Sequence, residues 1–228
     1  MFCGGAIRTM CTHGLFGEKP VASQLVRAWA DFDAWCAEAK HSPALTSFVR
    51  LNTKSRRKDV ELHCEASDTT IVVGWLTHKL QVEAGKSELF CTLATCAWMW
   101  DTSLRRLSRG QVFLSAPEAA DISSQMDTAL LSYAWLSRWA LCNRHRFFRI
   151  RPKMHMLAHL AADLRPGTRT EMFNAMCFST FGDEDFVGKI SRLSRRCHPS
   201  QAAERTLQRY LLGLMRPQGG QDKNMWAC

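Results

Sequence analysis

SAPEAADISSQMDTALLSYAWLSRWALC, residues 115–142, decides the fold class. Ile122, Met126, Ala129/Leu130, Tyr133, Leu136 and Ala140 recur every three to four residues, the apolar stripe of an amphipathic helix. Ser115 and Glu118 have capping-box spacing, and Pro117 falls in the first turn, where its missing N–H costs nothing. A helix of this length must bury its stripe against other elements.

Upstream, SELFCTLATCAWMWDTSLRRL (87–107) repeats the period through Leu89, Leu93, Cys96/Ala97, Trp100 and Leu104. Arg105 and Arg106 near its end suit the negative pole of a helix dipole. SDTTIVVGWLTHKLQVEA (67–84) is two-sided. Its β-branched run favours a strand, while Ser67 and Asp68 as caps and Ile71, Trp75, His78/Lys79 and Val82 at helical spacing favour a helix, the preferred reading. VASQLVRAWADFDAWCAEAK (21–40) carries Val21, Leu25, Trp29, Phe32 and Cys36 on one face. Downstream, Pro152 opens a helix in RPKMHMLAHLAAD (151–163). Phe186, Ile190, Leu193 and Cys197 give GDEDFVGKISRLSRRC (182–197) an apolar side, and Ala203, Leu207, Tyr210/Leu211 and Leu214 follow. The pattern predicts a mainly α globular protein of six to seven helices, with any strands confined to about 45–75 and 110–114. Residues 1–20 read as an irregular, Gly-broken segment, 21–216 as one helical domain with a linker near 50–68, and 217–228 as a polar tail.

Hydrophobic content of 46% beside 22% charged residues is that of a globular chain, not a disordered one. Ten cysteines occur without any C-x-x-C pair, which argues against a zinc ribbon or finger. Scattered cysteines in a chain of this size suit a reducing compartment, the nucleus or cytoplasm. No run reaches the roughly 18 apolar residues of a membrane span, so no membrane partner is expected. The formal charge of +9 points to an anionic partner, nucleic acid before any other.

That charge is concentrated. Residues 138–196 hold twelve cations against five acids. Within them RHRFFRIRPK (144–153) interleaves Phe147 and Phe148 with Arg144, Arg146, Arg149, Arg151 and Lys153. Arginine grips phosphate and aromatic rings stack on bases, so the composition suits nucleic acid, DNA before RNA. The alternative is a core pair of rings with a solvated basic rim. Lys189, Arg192, Arg195 and Arg196 form a second basic face on the 186–196 helix.

Two further groups could carry chemistry. His155, His159 and Asp163 share a helix face at i, i+4 and i+8, where they could converge on Zn²⁺ with a further ligand such as His145 or His198; histidines at such spacing are more often packed or hydrogen-bonded than ligands. Asp183, Glu184 and Asp185 could hold Mg²⁺ or Mn²⁺ for phosphoryl transfer, or simply complement the dipole at a helix start.

Residues RPKMHMLAHL (151–160), followed by a polar stretch and FGDEDFVGKI (181–190), resemble the C-terminal part of KDZ-like DDE transposases and transposon-derived proteins of protists and fungi. The resemblance covers about 60 of the 228 residues. It implies that Glu184 matches the last catalytic carboxylate, with Asp183 and Asp185 beside it, and that Lys153, His155 and His159 belong to the family pattern. Such nucleases also need a sheet bearing two further aspartates, and no strand-rich stretch lies upstream. The reading is therefore a helical, nucleic-acid-associated, transposon-derived remnant without catalysis and without a cofactor. A metal-dependent nuclease fragment using residues 183–185 is the alternative, and a helical module for protein partners or self-association is the third.

Overall fold

The computed structural model describes residues 2–18, 20–51, 60–62, 64, 66–165, 167–168, 170–178, 194, 198–201 and 204–209. Contacts divide the chain into two units, Met1–Cys177 and Phe178–Cys228, a boundary inside the stretch 21–216 expected to be one domain.

The first unit is built from α1 (Phe2–Thr12), α2 (Val21–Glu38), α3 (Ala66–Glu83), α4 (Glu88–Arg109), β1 (Phe113–Ser115), α5 (Ala116–Cys142), α6 (Pro152–Asp163) and β2 (Glu171–Phe173). It is mainly α, as its periodicity predicts. Helix α4 packs on both α3 and α5, α6 packs on α5, and α1 packs on α2 and α3. In the second unit the described residues include a single 3-10 turn at Pro199–Gln201 and a helical stretch at 204–209.

Helix α5 buries the stripe that its spacing foretold: Ile122, Met126, Ala129, Tyr133, Leu136 and Ala140 are all inside. Its start differs from the capping-box expectation. Ser115 makes no side-chain cap bond; instead the Ala116 N–H donates to the Thr170 carbonyl at 3.0 Å, so the chain beside β2 satisfies the helix end. Inside the bundle, Ser123 Oγ donates to the Ala161 carbonyl at 2.7 Å, tying α5 to α6 without leaving a buried hydroxyl unpaired. Helix α3 confirms the helical choice for 67–84. Trp75 on it is fully buried among Phe16, Phe32 and Phe48, and its Nε1 donates to Asp31 Oδ1 at 2.9 Å.

Two expectations are corrected. Residues 2–12 are not irregular; they form α1, and nine of its eleven residues are buried. Glycine is a poor helix former, but α1 needs it for close approach. A Cβ on Gly4 would sit 2.8 Å from the Leu62 nitrogen and 2.9 Å from the Val60 oxygen, and one on Gly5 would sit 2.6 Å from the Phe148 ring. Burial against those neighbours outweighs the weak propensity. The second correction is a strand outside the two windows allowed for strands. Glu171–Phe173 pairs antiparallel with β1 in the register Phe113↔Phe173, Leu114↔Met172, Ser115↔Glu171. Leu114 and Met172 point inward, while Phe113 and Phe173 meet edge-on outside at 5.7 Å. Buried Asn174 then closes the corner. Its Nδ2 donates to the carbonyls of Leu107 (2.8 Å) and Gln111 (3.0 Å), and its Oδ1 accepts from the Met176 N–H (3.0 Å).

Candidate nucleic-acid interface

The basic segment begins where α5 ends. The His145 N–H donates to the Ala140 carbonyl at 2.8 Å and Arg144 adopts φ +56°, so the helix closes in a Schellman-type turn with arginine in the left-handed place usually taken by glycine. Phe148 is left-handed as well, at φ +53°. Adjacent residues of an extended chain face opposite ways. The left-handed step breaks that alternation, and both Phe147 and Phe148 are buried.

Ring contacts and one hydrogen bond hold the segment in this shape. Phe148 lies against Gly5 and edge-on to Tyr133 at 6.0 Å. Phe147 stacks on His145 with centroids 4.9 Å apart and planes within 3°. His145 in turn lies 5.5 Å from the Trp139 ring. Tyr133 donates its hydroxyl to the Arg149 carbonyl at 2.9 Å, fixing the outgoing backbone. Desolvation, with a smaller contribution from the nearby His13, pushes the His145 pKa down, so this ring is a neutral wedge and not one of the cations. The two phenylalanines therefore belong to the core, and the base-stacking role considered for them does not hold.

What the segment presents to solvent is charge. Arg144, Arg146 and Arg149 are exposed, as are Ile150 and Lys153. Among the described residues, Arg144, Arg146 and Lys153 take part in no ion pair. Some other cations of the unit are paired: Arg165 reaches Asp127 at 2.8 Å and Arg106 reaches Asp121 at 3.4 Å. Arg151 is partly withdrawn, with its Nη2 3.1 Å from Glu61 Oε1. Helix α6 starts here with Lys153 in its first turn, no acidic residue there and no side-chain cap. The positive pole of the helix therefore adds to the arginines instead of being neutralised.

His155 and His159 project from the exposed side of α6, with their Nε2 atoms 2.9 Å apart, one donating to the other. Two nitrogens about 3 Å apart are also where two ligands at 2.0–2.1 Å from one ion would sit. The exposed Asp163 does not join them: among the described residues no group of three or more His, Cys, Asp or Glu is placed to hold a metal ion. His145 is committed to its ring stack, and His198 Nδ1 lies 2.8 Å from Ser200 Oγ. Asp183, Glu184 and Asp185, with Lys189, Arg192, Arg195 and Arg196, lie outside the described residues.

Tyr133 and Gly5, which position the basic segment, are not legible as site residues in the sequence. Tyr133 sits in an ordinary apolar stripe, and the only hint of a separate role is that it is one of just two tyrosines in the chain. No described helix is long and apolar enough to cross a membrane. The chain matches no protein-family model, no curated protein and no solved structure.

Proposed function

We propose that the protein associates with nucleic acid, DNA first, by gripping the phosphate backbone with residues 144–153 and the start of α6. One observation carries this reading: Arg144, Arg146 and Lys153 stand exposed, without an ion pair among the described residues, on a segment whose aromatic residues are locked in the core. Exposed cations on a backbone held by ring contacts, beside the positive end of α6, are suited to releasing counterions from a polyanion. With Phe147 and Phe148 buried, bases are not stacked and recognition is of the backbone. The transposase resemblance of residues 151–160 agrees with this role and supplies no evidence of catalysis.

Titration of a short fluorescent DNA duplex and its RNA counterpart at several salt concentrations tests the proposal. Binding should weaken steeply between about 50 and 200 mM salt. The combined R144Q, R146Q and K153Q substitutions should weaken binding to all sequences alike and reduce the log–log salt slope by about one unit per cation. Binding that is absent at low salt, or a slope the triple variant leaves unchanged, rejects the assignment.

A further inference from the structure

Elsewhere in the first unit, α2, α3, α4 and His41 just beyond α2 line an open cleft of about 230 Å³. Its floor is Gly74, which is buried in the middle of α3. A Cβ there would lie 3.1 Å from Arg105 Nη2, 3.4 Å from Trp35 Cη2 and 3.5 Å from Asp101 Oδ1. A guanidinium, an indole and a carboxylate thus converge on one point, and a glycine keeps that point clear.

The charges there are ordered, not merely near one another. Asp101 Oδ1 accepts from Arg105 Nε at 2.8 Å, one helical turn apart on α4. Bonding through Nε fixes the plane of the guanidinium and leaves its terminal nitrogens able to donate to an anion. Arg109, a further turn along α4, is exposed and makes no ion pair among the described residues. Asp101 is the sole acid among the residues lining the cleft, and it is already committed to Arg105. The aromatic lining meets the charges at the same point. Trp35 is half-buried, with His41 at 5.3 Å between centroids and planes tilted by 33°, and His78 at 6.5 Å and 31°. Ser108 and Thr70 add hydroxyls at the rim, and Thr70 uses its proton on the Ser67 carbonyl, leaving lone pairs to accept from a ligand.

A flat ring set against an indole, with two guanidinium groups one turn apart beside it, matches a ligand that joins a planar heterocycle to a phosphate. We propose that this cleft binds a nucleoside monophosphate, its base against Trp35 and its phosphate on Arg105 and Arg109. The cleft is open and its volume of about 230 Å³ is below that of a pocket which encloses a whole small molecule, so a nucleotide would be seated in it in part, with the remainder facing solvent. This goes beyond the backbone-gripping role of residues 144–153, shares no residue with it and does not depend on it.

Calorimetric titration of the full chain with adenosine monophosphate, at low salt, is the experiment. Adenosine, ribose 5-phosphate and inorganic phosphate serve as partial probes. Saturable binding of the nucleotide is expected, at least tenfold tighter than any of the three fragments. R109Q should weaken it about tenfold or more with an unchanged melting temperature, since Arg109 makes no ion pair among the described residues. R105Q should weaken it comparably, with a slightly lower melting temperature because the pair with Asp101 is lost, and G74A should weaken it by pressing a methyl group into the convergence point. The combined R144Q, R146Q and K153Q variant should bind the nucleotide as the parent does, which separates this proposal from the duplex-binding one. No saturable binding up to millimolar nucleotide overturns the inference. So does phosphate binding as tightly as the nucleotide, because the ring would then contribute nothing. Nucleotide affinity unchanged in both R105Q and R109Q overturns it as well.

Discussion

Helices α1 and α5 lie in the same core, and each is buried in a different way. Helix α5 carries a row of side chains, Ile122, Met126, Tyr133 and Leu136, that fill the space between it and its neighbours. Helix α1 has a bare edge at Gly4 and Gly5, and the backbone of Val60–Leu62 and the ring of Phe148 move into the space those residues leave. One helix contributes apolar area, and the other contributes proximity. In the first, burial is recorded as periodicity; in the second it is recorded as missing atoms. The two should fail in opposite directions when a methyl group is added or removed.

Removing atoms from α5 should produce the largest effect. Leu136 is fully buried, and Leu136→Ala is expected to cost about 2–5 kcal/mol through lost transfer energy and the cavity left behind. Chemical denaturation with an unchanged m-value measures it, and a loss below about 1 kcal/mol would mean that the site collapses freely and that the α5 stripe is not tightly packed.

Adding atoms to α1 comes next. In an ordinary exposed helix, Gly→Ala gains up to about 1 kcal/mol. At Gly4 the new Cβ would meet backbone, which cannot rotate away, so Gly4→Ala is expected to reverse that sign and cost about 1–3 kcal/mol. Gly85 is the control: nothing lies within 4 Å of its Cβ position, and Gly85→Ala should be neutral or stabilise by about 0.4–1 kcal/mol. Thiol labelling locates the damage. Cys3 and Cys11 of α1 are buried, whereas Cys91 and Cys142 are exposed. In the parent, Cys91 and Cys142 should react quickly while Cys3, Cys11 and Cys96 stay protected. In Gly4→Ala, Cys3 and Cys11 should speed up before Cys96 does. Equal acceleration of all three would show that α1 does not come loose independently.

The same contrast explains what the sequence discloses and what it hides. The α5 stripe is plain because six apolar positions at helical spacing fit a buried helix face and little else. Helix α1 is hidden because its glycines look like breakers until the partner backbone is known. Strand β2 is three residues long and pairs with β1 more than fifty positions earlier, so nothing local marks it. At the candidate interface, Arg144, Arg146, Arg149 and Lys153 are legible as exposed charge, since cations seldom go inside. The fate of Phe147 and Phe148 is not, because composition is the same whether the rings face bases or the core. A left-handed residue at 148, anchored through Gly5 and Tyr133, makes the choice. The cleft at Gly74 is equally silent, being assembled from three helices and defined by an absent side chain.

The last contrast is in the pH dependence: its acid limb lies at the end of α5, while its alkaline limb is shared by the α1 thiols with the buried Cys36, Cys96 and Tyr133. Burial pushes the α1 thiols up, Cys3 to about 12 and Cys11 to about 11. A thiol whose folded pKa is raised stabilises the fold fully below its unfolded value of about 9. Above that the unfolded chain ionises first, so stability should fall as pH rises from about 9 towards 11. His145, at the end of α5, is shifted the other way, with its folded pKa below the ordinary 6.5. Its contribution is complete above 6.5 and is lost as pH falls below that value, because the unfolded chain then takes up the proton more readily. Melting temperatures measured across the two limbs separate these causes. His145→Phe, which keeps a ring against Phe147, should flatten the acid limb and leave the alkaline one. Cys11→Ala should lower stability at neutral pH and make the alkaline limb shallower, so its slope and not its melting temperature is the readout. If His145→Phe leaves the acid limb as steep as before, desolvation of this ring is not what shapes that limb. The wedge beneath the basic segment would then have to be assigned to Phe147 and Phe148 without it.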